Sequence, residues 1–338
     1  MLRRTSSRPR DANHIYPELS SPRQGGTSPD AAKIEAAYVG FRTEFNNRLQ
    51  RVDSIARSIA TIVQTDNLLD RQLWMNSIPK MRLWIGDKTL SMLRGESLPV
   101  VTRPHEASIL VPKHDILNDR YGMYKERIGQ MTDAYSWALD ELVITMLCAG
   151  LQGTALGSTY DGQNLIDTDH TATSSSGNVA QTNRINGAFS ATVYQQAFSA
   201  FMKVTDENGI PLNLSGKRMR LIHGPDNRNA VRLVLAQQTG VTGSQNLDYA
   251  SADPVVVPWI VAGTRTVLGT TITLTGLEWF LLPEKSSAII VHEKRGPEFL
   301  SVEEGEFAFR TGKYLYGIEA EFGAAYGLWQ EVVGGPGS

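Results

Sequence analysis

The longest coherent pattern of apolar and polar positions runs from Asn118 to Gly150. Tyr124, Ile128, Met131, Tyr135, Ala138, Leu142, Met146 and Ala149 recur every three or four residues, the spacing that lines one face of a helix. Asn118 or Asp119 is expected to cap its start, because a short side-chain oxygen accepts from the free N–H groups of a first turn. Gly150 is expected to end it in the left-handed conformation. From Gly122 to Ala149 such a helix would be roughly 40 Å long, enough to organise a domain around itself.

Before this helix, Ser28-Pro29-Asp30 reads as a helix entry, with proline where its missing N–H does no harm. Ile34, Tyr38, Phe41, Phe45 and Leu49 then share one helical face. Ile55 to Val63 is mixed, and its β-branched residues favour an extended second half. Trp74 and Trp84 flank Pro79 in the stretch Leu73 to Gly86 and suit core packing. In residues 87–112, Gly95, Pro99 and Pro104 interrupt short apolar pieces such as Leu98, Val100, Ile109 and Val111. That pattern predicts a hairpin of two extended strands. It has little core of its own, so it gains sense by lying on another subunit.

After the helix, Gly153 to Gly187 is rich in Gly, Ser, Thr, Asn and Asp and predicts a long loop. Helices are expected at Phe189–Val204 and Pro225–Gln238, and a short strand at Arg218–His223. Strands are expected around Val255–Val257, Thr271–Leu274, Trp279–Leu282 and Ala288–Val291. Tyr314, Tyr316, Ile318, Ala320 and Phe322 alternate with more polar neighbours, as a half-exposed strand does. Gly334-Gly-Pro-Gly-Ser338 reads as a flexible end. Helices and strands do not alternate strictly, so the fold class is α+β.

Composition narrows the function classes. The 338 residues are 41% hydrophobic and 20% charged, as in folded globular proteins. A formal net charge of −2 excludes a strongly basic nucleic-acid binder. The one cysteine, Cys148, lies in the long helix and suits a small buried hydrophobe better than a nucleophile. No disulfide forms within the chain, and no uncharged run of about 20 apolar residues marks a membrane span. Residues 1–29 are rich in Ser, Pro, Arg and Gly and read as an arm. Arg3, Arg4, Arg8 and Arg10 precede the first acid, Asp11, without the apolar core of a secretory signal.

Candidate chemistry is sparse. The six histidines, at 14, 105, 114, 170, 223 and 292, lack ligand spacing. Asp161, Asp167, Asp169 and His170 cluster in the glycine-rich segment. They match neither a calcium loop nor the H-E-x-x-H of a zinc hydrolase. Turn formation is the expected role, since Asp and Asn bond their own backbone. Nucleophile elbows, phosphate loops and dinucleotide fingerprints are all missing. No catalytic residue, metal or cofactor is expected.

Four segments together resemble the major head subunit of Mu-like bacteriophages. They are Pro79-Lys-Met-Arg-Leu-Trp84-Ile-Gly86, Asp115 to Tyr124, Tyr160 to His170 with Asp161, Gly162 and Asp169, and Tyr326-Gly327-Leu-Trp-Gln330. Phe41 to Phe45 is similar to that family's first helix. The resemblance spans roughly residues 30–333, with the segments in the family's order. It implies a Hong Kong 97-type capsid fold. In that map 1–33 is an N-terminal arm, 34–83 begins a peripheral domain, and 84–112 is an extended loop. Residues 113–185 continue the peripheral domain, with a spine helix at 120–150. Residues 186–287 form an axial domain, 288–326 return as peripheral strands, and 327–338 rejoin the axial domain. Tyr124, Ile128, Met131, Tyr135, Leu142 and Met146 are the expected spine-helix core.

The function implied is geometric. The chain would be the major capsid protein, self-assembling through hexamers and pentamers into an icosahedral head around double-stranded DNA. Near-neutral charge suits non-specific contact with packed phosphate. Scaffold, protease and portal proteins are the implied partners, and the virion, assembled in the host cytoplasm, is the implied location. A same-fold encapsulin-like compartment is the alternative. An enzyme using the Asp161–His170 loop as its site is a rival from another class.

Overall fold

The computed structural model describes residues 29–337 apart from 67–68, 76–94, 119, 154–157, 175–176, 207–208, 240–242, 244 and 268–269. The chain opens with α1 (Pro29–Leu49), α2 (Ile55–Ile59), β1 (Ala60–Gln64), β2 (Leu69–Met75), β3 (Gly95–Val101) and β4 (Arg103–Pro112). It continues through α3 (Lys113–Leu117), α4 (Tyr121–Gln152), β5 (His170–Ser174), β6 (Gly177–Gln181) and α5 (Ala191–Lys203). Then come β7 (Met219–His223), α6 (Arg228–Leu235), β8 (Asp253–Val256), β9 (Gly263–Val267), β10 (Thr270–Leu274) and β11 (Trp279–Pro283). The chain closes with β12 (Ser286–Val302), α7 (Glu306–Thr311), β13 (Lys313–Tyr326) and β14 (Val333–Gly335).

Two four-stranded sheets carry the fold. One has the order β1-β12-β13-β4 and the other β14-β11-β7-β8. In the first, alternation along β13 turns Tyr314, Tyr316, Ile318, Ala320 and Phe322 inward. Tyr316, Ile318 and Tyr314 meet Phe41 and Phe45 of α1 and Phe299 of β12. Phe41 and Tyr316 pack edge to face, their centroids 4.9 Å apart. The second sheet shares a larger core with Tyr194 and Phe201 of α5 and Val231 and Val234 of α6.

The helix α4 joins the two cores. Ile128 and Met131 lie in the smaller one, and Tyr135, Leu142 and Met146 in the larger. Tyr124, at its first turns, is half-buried and donates to Asp115 at 2.5 Å. From Leu142 to Leu151 every residue is buried, so the single apolar face expected from spacing becomes burial all round. The helix has the length and apolarity of a membrane span, but 78% of that stretch is buried inside the protein.

Several sequence expectations are corrected. Asn118 does not cap α4, and Asp119 lies outside the described residues. The N-cap of α4 is Arg120, and Asn118 instead follows α3. The helix passes through Gly150 and stops at Gly153, which has the left-handed φ of 70°. Gly150 is needed for close approach: a Cβ there would sit 2.6 Å from Leu165 Cβ. The hairpin expected within 87–112 does not form, because β3 pairs with β2 and β4 pairs with β13. The expected long loop contains the β5–β6 ladder. The glycine-rich end is a buried strand, β14, paired with β11 and so tight that a Cβ on Gly335 would lie 2.0 Å from Ile185 O.

Candidate functional site

Two of the four quoted motifs, some 160 residues apart, close on one another. The loop Tyr160–His170 is shaped by its own polar groups. Asp161 Oδ1 accepts from the Thr159 hydroxyl and, at 3.2 Å, from Gln163 N–H. Gly162, at φ 81°, supplies a turn that side-chain-bearing residues resist. Asp167 accepts from Asn164 Nδ2 and Thr168 N–H, each at 2.8 Å. Asp169 Oδ2 accepts from Gln163 Nε2 at 3.4 Å. His170 enters β5 with its ring buried, and its Nδ1 donates to Asp161 Oδ2 at 2.8 Å.

The second motif covers this loop. The Trp329 ring stacks on His170 at 4.0 Å, with an interplanar angle of 5°. Gln330 Nε2 donates to Tyr160 Oη at 2.5 Å. Tyr326 Oη donates to the carbonyl of Met146 on α4 at 3.0 Å. Gly327 has no room for a side chain, since a Cβ would fall 1.6 Å from the Ser287 carbonyl oxygen. Asn183 ties the parts together. Its Nδ2 lies 2.8 Å from Leu165 O and 3.1 Å from both Trp329 O and Val332 O.

Asp161, Gly162, Asp169, His170, Tyr326 and Gly327 are thus gathered at one junction. Pro79, Trp84 and Gly86 lie outside the described residues. Asn183 was missed by sequence reasoning, and a lone asparagine in a polar stretch carries no signal of its own. Trp329 was legible only as part of its motif.

The electrostatics fit a lock. Burial raises the Asp161 pKa, but hydrogen bonds from His170, Thr159 and Gln163 outweigh it and hold the carboxyl below its usual value. The His–Asp pair has the chemistry of an acid–base dyad. With the ring wholly buried and stacked, no solute reaches it in this conformation. Among the described residues, no group of three or more His, Cys, Asp or Glu is placed to hold a metal. Cys148 is buried, and that burial pushes its thiol pKa well up, which removes it as a nucleophile.

Further polar contacts, partly or wholly buried, tie α4 to the N-terminal elements. Arg48 grips Asp133 through two hydrogen bonds of 2.9 and 2.7 Å. Asp140 accepts from Ser54 Oγ at 2.6 Å and Ala56 N–H at 2.7 Å, anchoring α2. Burial raises the Asp140 pKa against these bonds.

The outer face of the first sheet is different. Val302, Leu315 and Leu110 stand in register across three strands, with Leu300 two residues away on the same face. Leu110, Leu300 and Val302 are exposed, and α7, between β12 and β13, adds Phe307 and Phe309. Phe309 is 90% exposed. Burying such a ring is worth about 1.5–3 kcal/mol, so this exposed group leaves that apolar surface in solvent.

Comparison with known proteins agrees with this architecture. Residues 34–194 match the model of the Mu-like prophage major head subunit gpT. The Mu-like prophage FluMu major head subunit of Haemophilus influenzae is 32% identical over 143 residues, covering 42% of this chain and 44% of that one. The chain therefore spans less than half the length of the curated relatives it matches. Among solved structures, the mature capsid of bacteriophage PhiM1 superposes with a TM-score of 0.57 at 10% identity, covering 95% of this chain and 92% of that one. The procapsid of bacteriophage JBD30 gives 0.51 at 21% identity, covering 91% and 75%. Over residues 34–194 the sequence is similar to the Mu-like prophage major head subunits, and over nearly its whole length the chain shares the Hong Kong 97-type fold of these phage capsid structures.

Proposed function

We propose that this chain is the major capsid protein of a Mu-like phage head. Copies assemble through hexamers and pentamers into an icosahedral shell around double-stranded DNA. The observation that carries this reading is the match of residues 34–194 to head subunits. The exposed apolar surface of α7 and the outer sheet face supports it, because a shell subunit must keep apolar area to bury against its neighbours. Segments 34–83, 113–185 and 288–326 act as the peripheral domain and 186–287 as the axial domain, with 327–338 returning to it. Residues 1–33 and 84–112 are the arm and the extended loop. Scaffold, protease and portal proteins are the partners, and assembly takes place in the host cytoplasm. The encapsulin-like alternative is disfavoured by the same sequence match.

Electron microscopy of the purified protein, with its mass by light scattering, tests this. Closed shells, tubes or rings of five or six are expected. A small species that persists after the cognate scaffold is added would overturn the reading.

A further inference from the structure

The sequence carries two Asn-Gly steps, at 186–187 and 208–209. Such a step is chemically labile. The nitrogen of the following residue can attack the asparagine side-chain carbonyl, and glycine, without a Cβ, leaves the approach clear. The surroundings of Asn186 leave this reaction open. Asn186 is exposed. Gly187 has a positive φ of 113°, and even a Cβ built on it would meet only Val193, at 3.7 Å. Among the described residues, no group accepts from the Gly187 N–H. The Gly209 N–H, by contrast, donates to Asp206 O at 3.0 Å.

Arg184 completes the arrangement. Its Nε donates to Asn186 Oδ1 at 3.2 Å, and its Nη1 donates to Leu151 O, in the last turn of α4, at 2.8 Å. The second contact holds the guanidinium against the oxygen on which negative charge would develop. The flanking residues are anchored as well. Ile185 N–H donates to Gly334 O at 2.9 Å, and the buried Phe189 packs edge to face on Trp279 at 5.4 Å. Asn186 and Gly187 therefore lie in a short span between two fixed points, with a donor already in place.

We propose that Asn186 is a self-modification site, at which Arg184 assists deamidation of the folded chain. Hydroxide takes the proton from Gly187 N as that nitrogen bonds to Asn186 Cγ. Charge collects on Oδ1, against the Arg184 Nε–H. The Cγ–Nδ2 bond then breaks, and ammonia leaves with a proton from water, closing a five-membered imide. Water opens the imide at either carbonyl, giving aspartate or isoaspartate at 186. Nothing is oxidised or reduced, and water is the only co-reactant. The aspartate product carries a carboxylate where the amide stood, so the neutral contact to Arg184 becomes a charge-assisted pair. The formal net charge moves from −2 to −3. The modification thereby changes, with age, the joint between the end of α4 and the segment beside β14. It does not rest on the shell reading, since it needs one folded chain only.

Mass spectrometry of the full chain tests it. The native chain, the same chain unfolded in guanidinium chloride, and an Arg184→Gln variant are held in mildly alkaline heavy-oxygen water, and the peptide holding residue 186 is fragmented. The expected result is the mass gain of amide-to-acid conversion, with one heavy oxygen, at residue 186. Conversion should be at least as fast in the folded chain as in the unfolded one, and about ten-fold slower in the variant. That factor is smaller than for a buried oxyanion donor, because this site is in water. Slower conversion in the folded chain than in the unfolded one would overturn the proposal, since the fold would then protect Asn186. Equal rates in the native chain and the variant would also overturn it. If circular dichroism shows that Arg184→Gln does not fold, Arg184→Lys replaces it under the same criterion, because an ammonium lacks the planar fork that spans Leu151 O and Asn186 Oδ1.

Discussion

The junction around His170 and the outer face around Phe309 treat large side chains in opposite ways. At the junction, Trp329 is buried against a ring 4.0 Å away, Asp161 collects several donors, and Gly327 leaves no spare volume. On the outer face, Phe309, Phe307, Leu300 and Val302 stand in solvent at the end of a long hairpin. The first region spends its apolar surface on holding distant segments of one chain together. The second keeps its apolar surface available. The proposed shell subunit would need both, and the difference predicts which mutations will harm folding and which will harm assembly.

The sharpest break is Gly327→Ala. The added Cβ meets a backbone carbonyl, which cannot rotate away as a side chain would. Loss of soluble protein with native near-ultraviolet circular dichroism is expected. His170→Ala should come next, costing about 3–5 kcal/mol in urea unfolding, because it strips the buried Asp161 of its partner. Gly150→Ala should cost about 1–3 kcal/mol, since Leu165 must shift to admit one methyl group.

A smaller effect comes from pH. The folded Asp161 carboxyl lies below its ordinary value of 3.8. Its contribution is therefore complete above that value and disappears as pH falls through the lower folded pKa. The stability gap between the native chain and Asp161→Asn, measured by thermal unfolding, should close as the solution is taken from pH 5 into more acid conditions. A gap that widened on acidification would contradict this sign. The smallest effect on folding should come from Phe309→Ser, within about 0.5 kcal/mol, as for other surface changes. Light scattering should nonetheless show impaired assembly, and unimpaired assembly would remove α7 from the contact surface.

Much of the fold was legible because local periodicity reports burial. The inward row Tyr314, Tyr316, Ile318, Ala320 and Phe322 could be read residue by residue, since strand alternation is strict. Ile128, Met131, Tyr135, Leu142 and Met146 could be read from helical spacing, and all are buried. The helix ends were less legible. Gly150 and Gly153 are the same residue type three positions apart, and only the backbone of one is left-handed.

What the sequence determined by itself was the set of local elements, the α+β class and the order of motifs. These depend on neighbours within a few turns or strands of the chain. What only the tertiary structure decided was partnership. It paired β3 with β2 and β4 with β13, stacked His170 on Trp329, made Asn183 a hub, and buried the glycine-rich end as β14. The physical reason is that each of these rests on residues far apart in the chain meeting in space. A glycine placed where a distant carbonyl needs the room looks, in sequence, like any flexible glycine.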